Sequence, residues 1–322
     1  MIAYWLNKIG DTAQLEARET PMPVPAAGHM LVRVRAASIN RGDIMARIKR
    51  HSAAGGRPVG VDGAGEVVDA GGSAFKKGER VMFRAHGAIA EYVAVDPALA
   101  SRVPDTMSWE EAGSILAAYV TGWEAVCQFG RMKAGDWVLL CGVSSGVGVA
   151  ALQMAKHTGA RVIGTSGSVQ KLEALKKMGL DVGIVARGGD FAGEVRQATG
   201  GKGVDIAVNL VGGTAFPACV QACADFGRVI IVGYVDNTMH ADFDMETVHG
   251  RRLQIMGISN TPLTPAMRAV AHGGFMADFG AALESRAIRP LIDRVYSFEQ
   301  APAAKDYVET NQLIGKVVVT MA

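Results

Sequence analysis

Residues 137–165 read WVLLCGVSSGVGVAALQMAKHTGARVIGT: two short runs apolar on both faces, with a small-residue turn and a helix-length stretch between them. A strand that turns straight into a helix packed back on it leaves little room for side chains, and Gly146, Gly148 and Ala151 supply that room in a G-x-G-x-x-A spacing. The first glycine allows the tight turn, the second lets backbone approach a diphosphate, and the small third residue permits close packing of helix on strand. The helix start then gathers unsatisfied N–H groups where an anion binds. Ser144, Ser145, Gly146, Val147 and Gly148 are therefore expected to hold the pyrophosphate of a dinucleotide.

Which dinucleotide depends on the end of the next strand. A chain selecting NAD places an acid about 20 residues past the first glycine to hold the ribose 2′-hydroxyl, yet no acid stands between Ala160 and Leu172. A 2′-phosphate carries about −1.5 to −2 charge and would be repelled by a carboxylate there. Ser166 and Lys171 favour NADPH, and Arg187, past the third strand, is either a further phosphate contact or a solvated surface arginine.

Four more runs, VGIV (182–185), DIAVNLV (205–211), RVIIVG (228–233) and LQIMGI (253–258), alternate with helical stretches. This is the text of a six-stranded parallel sheet covered on both faces. Open sheets of this kind bind ligands outside the carboxyl ends of their strands, which brings Val211, Gly212, Gly233 and Tyr234 to the cofactor. Within it, SVQKLEALKKMG predicts a helix with Ser168 as N-cap, Leu172, Leu175 and Met178 on one stripe and Gly179 past its end.

Before residue 110 the texture differs. MLVRVRA (30–36), GEVVDAG (65–71), RVMFRA (80–85) and AIAEYVAV (88–95) alternate apolar and polar residues between Gly and Pro punctuation, as in a half-buried antiparallel sheet or partial barrel. Ser108 and Glu111 form a capping box that opens a helix expected to run to Phe129 and stop at Gly130. Past 260, 288–296 and 315–320 are strand-like again.

At 322 residues the chain has length for two domains. With 33 Lys+Arg against 31 Asp+Glu, a strongly basic nucleic-acid binder is not expected. Cys127, Cys141, Cys219 and Cys223 show no metal-type spacing and no disulfide framework, and are expected to be free. No secretory start or long apolar run occurs, so a cytoplasmic protein is expected.

The segments ASINRGDIMAR, GVDGAGEVVDAG, KKGERVMF, GAIAEYVAV, SSGVGVAALQMAK and the terminal IRPLIDRVYSFEQAPAAKDYVE with GKVVVT occur in an order that resembles the zinc-independent quinone oxidoreductase branch of the medium-chain dehydrogenase/reductase superfamily. The resemblance implies a GroES-like, mostly β catalytic domain from 1–117 and 259–322, a Rossmann cofactor domain at 118–258, and a cleft at their junction. At the positions where zinc-dependent relatives carry Cys, His and Cys stand Asn40, Val61 and about Ala117, none of which offers a thiolate or imidazole, and the structural-zinc lobe is missing between Phe83 and Gly87. His51 and His86 lie nearby without forming a site. Metal-free chemistry follows.

Without a Lewis acid, electron-poor acceptors fit best: a quinone, or the conjugated C=C of an enal or enone, which takes hydride and leaves a delocalised oxyanion. The resemblance makes Asn40 the candidate donor to that oxygen, with a satisfied structural amide as the alternative. Asp43 braces the cleft or acts directly. Tyr119 donates a proton or is a core tyrosine, and Thr121 contacts the nicotinamide side. Met45 and RIKRHSAAGGRP replace tyrosines found in several relatives. Arg41, Arg47, Lys49, Arg50 and Arg57 are either a solvated loop or an entrance attracting an acidic substrate.

The expected activity is NADPH-dependent hydride transfer to a small-molecule quinone, enone or enal by a homodimer paired through LQIMGI. Two other readings stand beside it: a weakly catalytic NADPH-binding protein with a crystallin-like or RNA-associated role, and an alcohol dehydrogenase-type enzyme of the same superfamily.

Overall fold

The computed structural model describes residues 1–9, 12–44 and 56–322; Met45, Arg47, Lys49, Arg50 and His51 of the basic stretch lie outside the described residues. The chain forms two compact units, Met1–Val120 with Ala266–Ala322, and Thr121–Pro265. These divisions fall later in the chain than the boundaries at 117 and 258 that the resemblance implies.

The first unit opens with the antiparallel pair β1 (Ile2–Ile9) and β2 (Thr12–Glu19). In β3 (Met30–Ile39), Met30, Val32 and Val34 are buried and Arg33 is exposed, and from Ala36 onward both faces are covered. There follow α1 (Arg41–Ile44), β4 (Arg57–Pro58), β5 (Asp62–Asp69), β6 (Arg80–Arg84), β7 (Tyr92–Val95), β8 (Ala100–Arg102) and α2 (Trp109–Ala112). The capping box of Ser108 and Glu111 is present, but the single helix expected to Phe129 is divided into α2, α3 (Leu116–Trp123) and a π-helical turn at Glu124–Gln128. Between α2 and α3 lies Gly113, where an added Cβ would stand 2.7 Å from the Ala36 carbonyl oxygen. The chain packs closely on β3 there.

The chain enters the second unit within α3. It contains β9 (Trp137–Cys141), α4 (Gly146–Thr158), β10 (Arg161–Ser166), α5 (Val169–Lys176), β11 (Val182–Val185), α6 (Ala192–Ala198), β12 (Val204–Asn209), α7 (Phe216–Ala222), β13 (Cys223–Ile231), α8 (Met245–Gly250) and β14 (Gln254–Gly257). All six strands are parallel, in the order β11-β10-β9-β12-β13-β14. This is the doubly wound arrangement the apolar runs predict. Thr165 and Asn209 both lie opposite Cys141, so β10, β9 and β12 end level where the strand order reverses. The loops after these strands converge at that end. Cys141, Cys219 and Cys223 are buried, Cys127 is half-buried, and none of the four is in a disulfide.

The returning segment supplies α9 (Pro265–Glu284), β15 (Ile292–Ser297), α10 (Ala301–Glu309) and β16 (Lys316–Thr320). β16 lies between β15 and β3, giving a seven-stranded sheet that continues through β5, β6 and β8, with β7 also on β3. Its core gathers Met30, Val32, Phe83, Ile89 and Val317. Among the described residues no helix is long and apolar enough to cross a membrane.

Candidate functional site

The turn after β9 is made at Gly142, whose φ of +82° is the left-handed conformation that favours glycine. The expectation gave that role to Gly146, which instead opens α4. The chain reverses immediately at the strand end, where Gly142 N donates to the carbonyl and hydroxyl oxygens of Thr165, and Ser144 and Ser145 lie within the turn. Ser145 caps α4: its hydroxyl accepts from Gly148 N at 3.1 Å and donates to Gly142 O at 2.9 Å. The amides of Gly146 and Val147, ahead of that bond, remain for an anion. A Cβ on Gly148 would lie 2.6 Å from Gly142 O and 2.7 Å from Val143 O. Gly148 therefore packs directly on the backbone of the turn, and Ala151 is fully buried.

At the end of β10, Ser166 is buried and is followed by Gly167 and Ser168, the N-cap of α5, which accepts from Lys171 N. Ser166 lies opposite Val185, and Ala186 N donates to Ser166 O, so the chain leaving β11 returns past this strand end. Arg187 lies over Gly167: a Cβ there would stand 2.2 Å from Arg187 Nε. Serine, glycine and arginine thus meet where an NAD-selecting chain has its acid. These residues fit a dinucleotide with a 2′-phosphate.

Asn209, buried at the end of β12, shapes the next loop. Its Oδ1 accepts from Val211 N at 2.9 Å and Gly212 N at 3.0 Å, and its Nδ2 donates to Gly212 O at 2.9 Å. Gly212 has φ of +130°. Gly233 packs beneath Leu210 O, and Tyr234 is exposed. Thr121, half-buried, is the first residue of the second unit.

In the first unit a buried polar cluster surrounds Asn40. Lys316, 4% exposed at the start of β16 and ahead of three valines, donates to Asn40 Oδ1. Asn40 Nδ2 donates to Asp43 Oδ2 at 3.1 Å and to Asp62 Oδ1 at 2.9 Å, and Asn40 N also donates to Asp43. Asp62 further accepts from Ser38 Oγ and from Ala117 N. An ammonium only donates and carboxylates only accept, which fixes the amide's orientation. Both amide hydrogens of Asn40 are committed, as in the satisfied structural amide. Burial and the neighbouring Asp62 push the Asp43 carboxyl up to about 6, against the opposing bonds from Asn40 and the charge of Lys316. Burial lowers the Lys316 ammonium, opposed by Asp62 and Asp43.

Tyr119 is 1% exposed against Phe275, at 6.1 Å between ring centroids, the setting of a core tyrosine. Arg41 donates to Val308 O and Arg57 to Asp43 O, so the described ends of the basic stretch hold backbone. Among the described residues no group of three His, Cys, Asp or Glu is placed to hold a metal. Sequence reasoning missed Gly142, Asn209, Asp62 and Lys316. A lysine inside GKVVVT and a glycine directly after WVLLC were the available signals.

A family model described as "Alcohol dehydrogenase GroES-like domain" matches residues 26–105, and one described as "Zinc-binding dehydrogenase" matches 146–272. A mycocerosic acid synthase-like polyketide synthase of Mycobacterium tuberculosis is 32% identical over 292 residues, 89% of this chain but 13% of that protein. The chain thus spans a small part of such relatives. A mycobacterial protein solved in complex with NADPH is 27% identical, with a TM-score of 0.89 and 100% of both chains covered. A structure of a mycobacterial quinone oxidoreductase is 26% identical, with a TM-score of 0.85 and 100% of both chains covered.

Proposed function

We propose that this chain, which belongs to the medium-chain dehydrogenase/reductase superfamily and to its zinc-independent quinone oxidoreductase branch, is an NADPH-dependent reductase of quinones or of the activated C=C of enals and enones. The observation that carries the cofactor choice is Arg187 lying over Gly167 beside Ser166, at a strand end without a carboxylate. NADPH, when bound, supplies hydride from nicotinamide C4.

The chain's own groups bind and orient. The amides of Gly146 and Val147 at the start of α4 receive the pyrophosphate, with Ser144 and Ser145 in the turn. Ser166, Lys171 and Arg187 hold the 2′-phosphate. Val211, Gly212, Gly233, Tyr234 and Thr121 line the nicotinamide half. We assign Asn40 and Asp43 to the acceptor side as positioning residues, because the amide hydrogens of Asn40 are held by Asp43 and Asp62. Tyr119 is left to the core.

A homodimer forms through β14, which among the described residues is the end strand of its sheet, paired with β13, and can extend that sheet into a second copy. The functional test is cofactor consumption with NADPH and with NADH against quinones, 2-alkenals, enones and saturated aldehydes. Turnover of quinones or conjugated alkenes with NADPH, and none of saturated aldehydes, is expected. Oxidation of NADPH by none of the acceptors, or turnover of saturated aldehydes alone, overturns the assignment.

A further inference from the structure

We infer that Thr214 and Asp236 are positioning residues that clasp the loops following β11, β12 and β13 into one frame for the dinucleotide. The inference rests on the NADPH reading and names residues that reading does not use. Asp236 Oδ2 accepts from Thr214 N at 2.9 Å and from Thr214 Oγ1 at 2.6 Å, and its Oδ1 accepts from Thr238 N at 2.8 Å. Its own N–H donates to Val211 O at 2.9 Å. A Cβ on Gly212 would stand 2.0 Å from Asp236 Oδ1, so the carboxylate rests directly on the loop's left-handed glycine.

The contact continues toward the other end of the cofactor site. Gly189 N donates to Thr214 O at 3.0 Å, and a Cβ on Gly188 would stand 2.4 Å from Thr214 Oγ1. Gly188 and Gly189 directly follow Arg187. One threonine and one aspartate therefore join the segment of the 2′-phosphate contact to Val211 and Gly212. Partial burial pushes the Asp236 carboxyl up, but the bonds from Thr214 and Thr238 outweigh it and hold the carboxyl below its ordinary range. It stays a charged acceptor at neutral pH.

A loop holding a glycine at φ of +130° has other conformations open to it, and the clasp removes them before the cofactor arrives. The bonds that do this are charge-assisted, which makes their loss readable as affinity.

The test uses the full chain and measures dissociation constants for NADPH and NADH by nucleotide fluorescence, with thermal unfolding as a check of folding. Thr214→Val is expected to weaken both nucleotides by similar factors, about tenfold. Asp236→Asn does the same, Thr214→Ser restores near wild-type binding, and the Val/Asn double variant is no weaker than either single one. Arg187→Ala, in contrast, weakens NADPH alone. Wild-type-like affinity for both nucleotides in Thr214→Val overturns the clasp while leaving the NADPH reading intact. Absence of nucleotide binding in the wild type overturns both.

Discussion

His272 and Asp43 are buried titratable groups of the first unit whose shifts run in opposite senses. Burial, with the nearby Arg84 charge, pushes the His272 imidazole down to about 4, a hydrogen bond with the Ala100 backbone opposing; its Nε2 lies 2.8 Å from Ser101 Oγ. The unfolded chain takes up that proton at about 6.5, so the histidine contributes stability that is lost as pH falls through that window. Asp43, raised to about 6 by burial and Asp62, holds its proton more tightly folded than unfolded, so its contribution is present below about 4 and lost as pH rises through 6. A move from 3.8 to about 6, or from 6.5 to about 4, corresponds to about 3 kcal/mol. The two nearly cancel between about pH 4 and 6. Urea unfolding across that range is expected to show stability rising more steeply with pH in Asp43→Asn than in wild type, and falling with pH in His272→Gln. Variant profiles parallel to wild type refute the shifts. Lys316→Met leaves two buried carboxylates without their cation and is expected to lower unfolding free energy by about 3–5 kcal/mol in the same assay at pH 7.5.

At the scale of the element, α4 and its turn set the tolerances. Gly148→Ala puts a Cβ 2.6 Å from Gly142 O, against backbone that has no rotamer to change. The helix start must shift, and NADPH affinity is expected to fall at least tenfold, while the same substitution at exposed Gly193 in α6, with open space around it and no positive φ, leaves affinity unchanged. Titration of nucleotide fluorescence decides it. The strands of the second unit were legible because burial on both faces removes alternation and leaves short apolar runs bounded by helices. The division of the helix at 108–129 was not, since the turn at Gly113 packs on Ala36, more than seventy residues away in sequence. Likewise, the capping serine of α4 follows local rules, but the assignment of the turn to Gly142 depends on Thr165 from the neighbouring strand. The Asn40 cluster draws on residues 38, 40, 43, 62, 117 and 316, and local spacing carries no information about such convergence.

At the scale of the whole molecule, Asn40, Val61 and Ala117 stand where the resemblance places zinc ligands. Exhaustive chelation followed by metal analysis is therefore expected to leave NADPH-dependent turnover intact, and loss of turnover restored by zinc alone refutes that expectation. Light scattering is expected to give twice the chain mass, and a charged substitution at Ile255 or Met256 in the centre of β14 is expected to shift it toward the single chain. A single-chain mass for the unmodified protein rejects the edge pairing.

The space above residue 167 has room for one occupant. While it is glycine, the side chain of Arg187 fills that space through its Cγ, Cδ and Nε; any side chain there must displace it. An aspartate at 167 would therefore remove a phosphate contact and add a ribose-hydroxyl acceptor in the same event. Glycine and aspartate codons differ by a single base. One codon change at this position would thus move two determinants of cofactor preference together, leaving Ser166 and Lys171 in place.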